Sequence, residues 1–328
     1  MQKLFIFFIF LFSLKANAQI HNYLFIGMDR DLLKDTATWT SNVFEGVQIA
    51  YSWRQLETRK DEYDFSMVQE DMDLLKKHGK KLFIQIQDAA FSTRWTMVPK
   101  YLIEDSIYHG GMNSQYKFET ADETKYRVLG GVARRWDTAV QKQLHQLYKA
   151  LGKTFDGKIE GINLEETAAD FGKGPLHPQG YSFKKYRDAT IENLLVLKKA
   201  FPGAVVLAYA NFMPGGFIPG GDTTLLRSVY EAAWKNNIAV GGPDLLPYKK
   251  YQMTNSYPLI MESYDKVPSG VAVQDGTQEY IHPKTGKPVT AADIYSFAKE
   301  NLHLTYIFWG SEEPFLHRQV IPFLKLLK

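Results

Sequence analysis

The chain has 328 residues, 45% of them hydrophobic, with 39 Lys and Arg against 36 Asp and Glu for a formal charge of +3, and no cysteine. So balanced a charge offers no field to hold a polyanion, which argues against nucleic acid as a partner. The lack of cysteine excludes structural disulfides, a lipidated-cysteine anchor and thiolate metal sites, and it suits export to an oxidising space, where a free thiol is a liability.

Residues 1–18 carry Lys3, an apolar run from Leu4 to Phe12 and the triplet Ala16-Asn17-Ala18. This is the n-region, h-region and small-x-small cleavage pattern of a secretory signal, which predicts an exported protein, periplasmic or secreted, that begins at Gln19. Loss of Lys3 and Lys15 with that signal would lower the formal charge from +3 to +1. The apolar run is too short for a membrane span, and no later stretch approaches the ~20 apolar residues a span needs. Residues 19–328 then read as one domain, a length that accommodates a (β/α)8 barrel of ~250 residues with insertions.

Apolar, β-rich runs alternate with helical patterns, as βα units around a parallel sheet require. Strands are predicted at 23–28, 46–53, 81–87, 158–165, 204–211, 238–242, 270–275 and 305–310. Helices fall between them at 66–78, 138–151, 182–200, 223–235 and 290–301, the last with Thr290 and Asp293 suited to its N-terminus. Two segments compete for the seventh strand, 258–262 and 269–275. A βα unit takes about 30 residues, so the strand is assigned to the later segment and 256–266 to a helix with Pro258 in its first turn. The fold class expected is therefore α/β, a (β/α)8 TIM barrel in a single domain. One connection is oversized: residues 89–137, after the third strand, lie where a barrel places its active face and are positioned to wall a substrate groove.

Carboxylates at the C-terminal end of a barrel strand are candidates for acid/base chemistry, and Glu165-Glu166 closes the fourth strand. Other polar and aromatic residues gather at strand ends in this register: Tyr51 and Trp53, Gln85, Gln87 and Asp88, Asn163, Tyr209 and Asn211, Asp244, Gln274 and Asp275, then Trp309 and Glu312. Aromatic faces pack on sugar rings while amides and acids bond hydroxyls in pairs, so this rim suits a carbohydrate. His145, His282 and His303 are scattered without metal-ligand spacing, and the glycines of 213–216 and 219–221 lack a phosphate-binding fingerprint. No metal or cofactor is expected.

The segment Gly46-Val-Gln-Ile-Ala-Tyr-Ser-Trp-Arg-Gln-Leu-Glu57, followed by Tyr63-Asp-Phe65 and Gly79-Lys-Lys-Leu-Phe-Ile-Gln85, resembles the second strand, its following turn and the third strand of clan-A glycoside hydrolases. Tyr306-Ile-Phe-Trp309 is similar to that clan's eighth-strand segment, whose Trp lies under the sugar. The resemblance implies a retaining (β/α)8 glycosidase. It also implies that the acid/base is a Glu preceded by Asn at the end of the fourth strand, a place held here by Glu165-Glu166, so that Glu166 takes the role. Alternation along the strand instead puts Gly161, Asn163 and Glu165 on one face and favours Glu165.

The resemblance further implies a nucleophilic Glu at the end of the seventh strand, and there this chain departs, reading Val273-Gln274-Asp275. The second carboxylate is then Asp275 or Glu279, or Glu262 if the strand assignment is wrong, or it is missing. Retaining chemistry needs carboxyl groups ~5–5.5 Å apart and inverting chemistry ~6.5–9.5 Å. The leading expectation is an exported glycoside hydrolase cleaving an oligo- or polysaccharide. Tyr51, Trp53, Gln87, Asp88, Asn163, Tyr209, Asn211, Asp244, Gln274 and Trp309 are its expected sugar-contacting residues. The alternatives are a barrel without its nucleophile that serves as a carbohydrate-binding accessory protein, and a non-hydrolytic lyase. Bland readings compete at several positions: core packing for Trp53 and Trp309, a tight turn for Asp244, and a solvated helix face for Glu262.

Overall fold

A computed structural model of the protein describes residues 19–119, 123–216, 223–274 and 277–328. The proposed signal segment and Asp275 lie outside these residues. Eight parallel strands close into a barrel: β1 His21–Phe25, β2 Gly46–Ser52, β3 Lys81–Gln87, β4 Gly161–Leu164, β5 Val205–Tyr209, β6 Ala239–Gly242, β7 Ser269–Val273 and β8 Tyr306–Gly310. Each strand pairs with its sequence neighbours, and β8 closes on β1 from His21 opposite Tyr306 to Phe25 opposite Gly310. The fold is the (β/α)8 barrel the sequence predicts. β1 ends sooner than expected, just before Gly27 turns the chain at a φ of +55°.

Strands buried on both faces read as nearly continuous apolar runs, and the inward set fills the barrel axis. Tyr23, Phe83, Leu207, Tyr209, Ala239, Ala272, Tyr306 and Phe308 form this inner cluster. Phe83 meets Phe308 edge-on at 4.9 Å between ring centroids. Gly161 makes room for them, because a Cβ there would come within 2.5 Å of the Phe83 ring. Above the aromatic layer the interior turns polar: Gln48 Nε2 donates to Asn163 Oδ1 at 2.9 Å and to the Tyr209 hydroxyl at 3.2 Å.

Helices Ser66–Lys77, Thr138–Phe155, Phe183–Ala200, Thr224–Lys235 and Ala291–Glu300 stand where the sequence puts them. Thr290 and Asp293 form a reciprocal capping box at the start of the last, as expected, and Asp137, not foreseen in the sequence, caps the second by accepting from the amides of Ala139 and Val140. Helix Ser256–Glu262 carries Pro258 in its first turn and precedes β7, so spacing chose correctly between the two candidate segments. None of the helices among the described residues is long and apolar enough to cross a membrane.

The connection from β3 to helix Thr138–Phe155 has structure of its own. It contains helix Lys100–Glu104 and a three-stranded antiparallel sheet in the order Met112–Phe118, Tyr126–Ala133, Ala89–Ala90. This excursion leans on the loop after β4, where the Tyr116 amide donates to the Asp170 carbonyl at 2.8 Å.

Candidate active site

The ladder of β4 stops at Leu164, and the next three residues are held by partners on every side. The Glu165 amide donates to Ile86 O at 3.0 Å, at the end of β3. The Thr167 amide donates to Tyr209 O at 3.0 Å on β5, and its hydroxyl to Phe212 O at 2.6 Å. Arg135 completes the clamp: its Nη1 donates to Glu166 O at 3.0 Å and to the Tyr186 hydroxyl at 2.7 Å, which itself donates to Thr167 O at 3.2 Å. The rest of the guanidinium grips Asp88, with Nε to Oδ2 at 2.7 Å and Nη2 to Oδ1 at 2.5 Å. Such a two-pronged, buried pair fixes orientation as well as charge.

Within this clamp the two glutamates part. Glu165 lines a small cavity of about 20 Å3 between the strands and helix Phe183–Ala200, together with Asp88, Arg135, Thr190 and Asn193, and its Oε2 is buried without a partner among the described residues. Burial pushes its carboxyl up to about 7; Arg135 pulls against that shift and Asp88 adds to it. Glu166 turns instead toward the ends of β5 and β6. Its Oε2 accepts from Asn211 Nδ2, and Asn211 Oδ1 in turn accepts from the Phe212 amide at 2.9 Å, which fixes the orientation of the amide. Burial first, then the charges of Glu165 and Asp244, push the Glu166 carboxyl up to about 8, against the opposing Asn211 bond. An acid that keeps its proton at neutral pH, at the C-terminal face of a barrel, is equipped for general-acid catalysis.

Asp244 reaches this site from the turn after β6, in a left-handed conformation at φ +66°. Its Oδ2 accepts from Gln252 Nε2 at 3.2 Å and Lys249 Nζ at 3.5 Å, and its carbonyl accepts from the Tyr257 hydroxyl at 2.7 Å. A wider cavity of about 330 Å3 opens at the ends of β1, β7 and β8, lined by Phe25, Gly27, Asp29, Gln274, Gly310 and Ser311.

Of the residues the sequence singled out, Glu165, Glu166, Asp88, Asn211 and Asp244 come together here. Asn163 and Tyr209 lie beneath, inside the barrel, and Gln87 sits half-buried at the end of β3. Four expectations need correction. Tyr51 faces the helices, where its hydroxyl donates to Asp71 at 2.8 Å, and Arg30 holds the same Asp71. Trp53 is fully buried in the outer core with its indole N–H on Glu57 Oε2 at 2.6 Å. Trp309 is likewise buried in the outer core and donates to Asn22 Oδ1 at 2.8 Å. None of these three rings lies on the barrel's inner face. Glu262 ends a helix and is paired with Arg227 at 2.9 Å and Lys266 at 3.0 Å, the solvated helix face of the bland reading. Glu279 is exposed in the short turn Thr277–Glu279. Sequence reasoning missed Arg135 and Tyr186; the available signal was Asp88, an acid at a strand end that burial obliges to find a cation.

No family model matches the chain, and no curated protein does. Solved structures with a similar fold include the catalytic domain of β-amylase from Paenibacillus polymyxa, at 11% identity and a TM-score of 0.56, covering 88% of this chain and 92% of that one. The β-galactosidase of Bacillus circulans sp. alkalophilus matches at 13% identity and a TM-score of 0.61, over 94% of this chain and 56% of its own. Xylanase 10B from Thermotoga petrophila RKU-1, solved with xylobiose, matches at 13% identity and a TM-score of 0.51, over 89% and 82%. At such identities the likeness shows the fold, an eight-stranded barrel of the kind these glycoside hydrolases share.

Proposed function

We propose that the protein is an exported glycoside hydrolase acting on an oligo- or polysaccharide, with Glu166 as its general acid and Asp244 as the carboxylate working with it. The observation that carries this reading is the placement of Glu166: a buried carboxyl at the mouth of the barrel, oriented by Asn211 and by the Arg135 clamp, and subject to the charge of an acid from β6. In that arrangement Glu166 donates its proton to the glycosidic oxygen as the bond to the leaving sugar breaks. Asp244 stabilises the positive charge that develops on the ring, and it either attacks the anomeric carbon or activates water, according to the separation of the two carboxyl groups. The fold likeness to β-amylase, β-galactosidase and xylanase structures supports the class, and the pattern of residues 1–18 supports export. The test is release of reducing sugar from a panel of plant and bacterial glycans by the wild-type protein and by Glu166→Gln. Activity that survives the substitution refutes the assignment.

A second reading has its own observation. Gln274 stands at the end of β7, where the resemblance implies a nucleophilic Glu, and it lines the cavity shared with β1 and β8. An amide there suits a barrel that binds sugar without cleaving it. Sugar binding without any release of reducing ends would decide for this reading.

A further inference from the structure

Beyond the Glu166 site, the excursion after β3 meets the loops that follow β4 and β5 around a cavity of about 200 Å3. Phe171, Tyr181 and Phe183 give it apolar walls, and Glu123, Asp170 and Lys173 its charged groups. Two features mark it as a place built for a ligand. The Tyr181 hydroxyl is buried, with the residue only 8% exposed, and has no partner among the described residues; Glu123 Oε2 is buried and unpartnered as well. Each such group costs stability when left unmade, so both are held ready for something that enters. Phe183, by contrast, keeps 46% of its surface exposed. It rests on Gly215, at φ +86°, where a Cβ would come within 2.6 Å of the ring. The floor beneath is aromatic: Tyr181 packs edge-on against Phe171 at 5.0 Å and Trp136 at 4.9 Å.

We propose that this cavity is an outer carbohydrate subsite that holds a neutral hexose unit of the substrate. The choice of a sugar rests on the glycosidase reading above; the cavity's own chemistry sets the kind. A pyranose offers an apolar face to Phe183 and hydroxyls to the Tyr181 oxygen and the two carboxylates, which a purely apolar ligand would leave unmet. Lys173 pairs with Glu123 at 3.0 Å, so two acids face a single ammonium that is already engaged. That balance repels uronate and sulfated units. The subsite is built mainly by the loops after β4 and β5, with Glu123 contributed by the segment that lengthens this chain after β3, and none of its lining residues is a bond-breaking group, so it governs which glycan is chosen.

The test measures binding by titration calorimetry in the Glu166→Gln background, which leaves the ligand intact. The probes are cellohexaose, xylohexaose, maltohexaose and mannohexaose, with hexagalacturonate as the anionic control. At least one neutral hexaose should bind and hexagalacturonate should not. Tyr181→Phe should weaken the binding by about 3–10-fold while leaving the melting temperature unchanged or raised, because it removes a buried hydroxyl that bonds nothing in the free protein. Phe183→Ala should weaken it by about 10-fold. A purely structural role for Tyr181 would instead lower the melting temperature. The subsite is overturned if no neutral hexaose binds at millimolar concentration, if both variants bind as their parent does, or if hexagalacturonate binds best. Hydrolysis by the wild type, measured separately, keeps the two proposals apart. Cleavage with unaffected variants removes the subsite alone, and variant-sensitive binding without cleavage removes the enzyme alone.

Discussion

Glu166→Gln should abolish most turnover and, at the same time, make the fold less sensitive to alkali. The Glu166 carboxyl goes from an ordinary 4.5 to about 8 on folding. Between those values the folded protein keeps a proton that the unfolded chain has released, so its contribution to stability is whole below pH 4.5, shrinks as pH rises, and is gone above about 8. At ~1.4 kcal/mol per unit the shift caps this loss at ~5 kcal/mol. Part of it belongs to Glu165, whose charge raises its neighbour and which titrates with it, leaving ~2–4 kcal/mol for a change at Glu166 alone. Glutamine keeps the shape and can still accept from Asn211 Nδ2, so packing is preserved while the ionisation is removed. Urea unfolding followed by tryptophan fluorescence at pH 5 and pH 9 reads the effect: the wild type should lose ~2–4 kcal/mol more than the variant across that interval. In the same preparations the hydrolytic rate should drop ~10²–10⁴-fold. Identical pH dependence in the two proteins would mean that Glu166 ionises freely, and the case for a retained proton would fall.

Asp244→Asn removes one of the charges that raise Glu166 and also the second carboxylate, so turnover should drop while the alkaline fall in urea stability is complete at lower pH than in the wild type; an unmoved fall would show that Asp244 does not face the acid. Arg135→Ala leaves Asp88 buried without its cation and should cost ~3–5 kcal/mol in thermal or urea unfolding, whereas a loss under ~1 kcal/mol would mean the pair is solvated. Trp309→Phe deletes the indole bond to Asn22 and should lower stability by ~1–2 kcal/mol with KM unchanged, because the ring packs among the helices; a raised KM would return it to the sugar site.

The barrel could be read from the sequence because its strands are buried on both faces and their spacing is regular. That spacing settled β7 against a competing segment that also looked extended. Direction at the strand ends was harder to read, and the misplaced aromatics share one cause. In β2 the inward residues follow Gln48, so Tyr51, three places on, faces the helices; in β8 Phe308 points to the axis and Trp309 away from it. Alternation alone would have separated these from Asn163 and Tyr209, which lie inside as their parity demands. Parity fails where the ladder ends. After Leu164 the chain is positioned by Ile86, Tyr209 and Arg135, and it is this set that leaves Glu165 against helix Phe183–Ala200, not inside the barrel with Asn163, and turns Glu166 to Asn211. Arg135 arrives from the end of the excursion, about 30 residues before the glutamates it orients, and no local pattern announces such a partner. The same excursion contributes Glu123 to the outer cavity. One insertion thus supplies both the cation that orients the acid and an acid of the outer cavity, and changes at Arg135 should act on Glu166 while changes at Glu123 act on the choice of glycan.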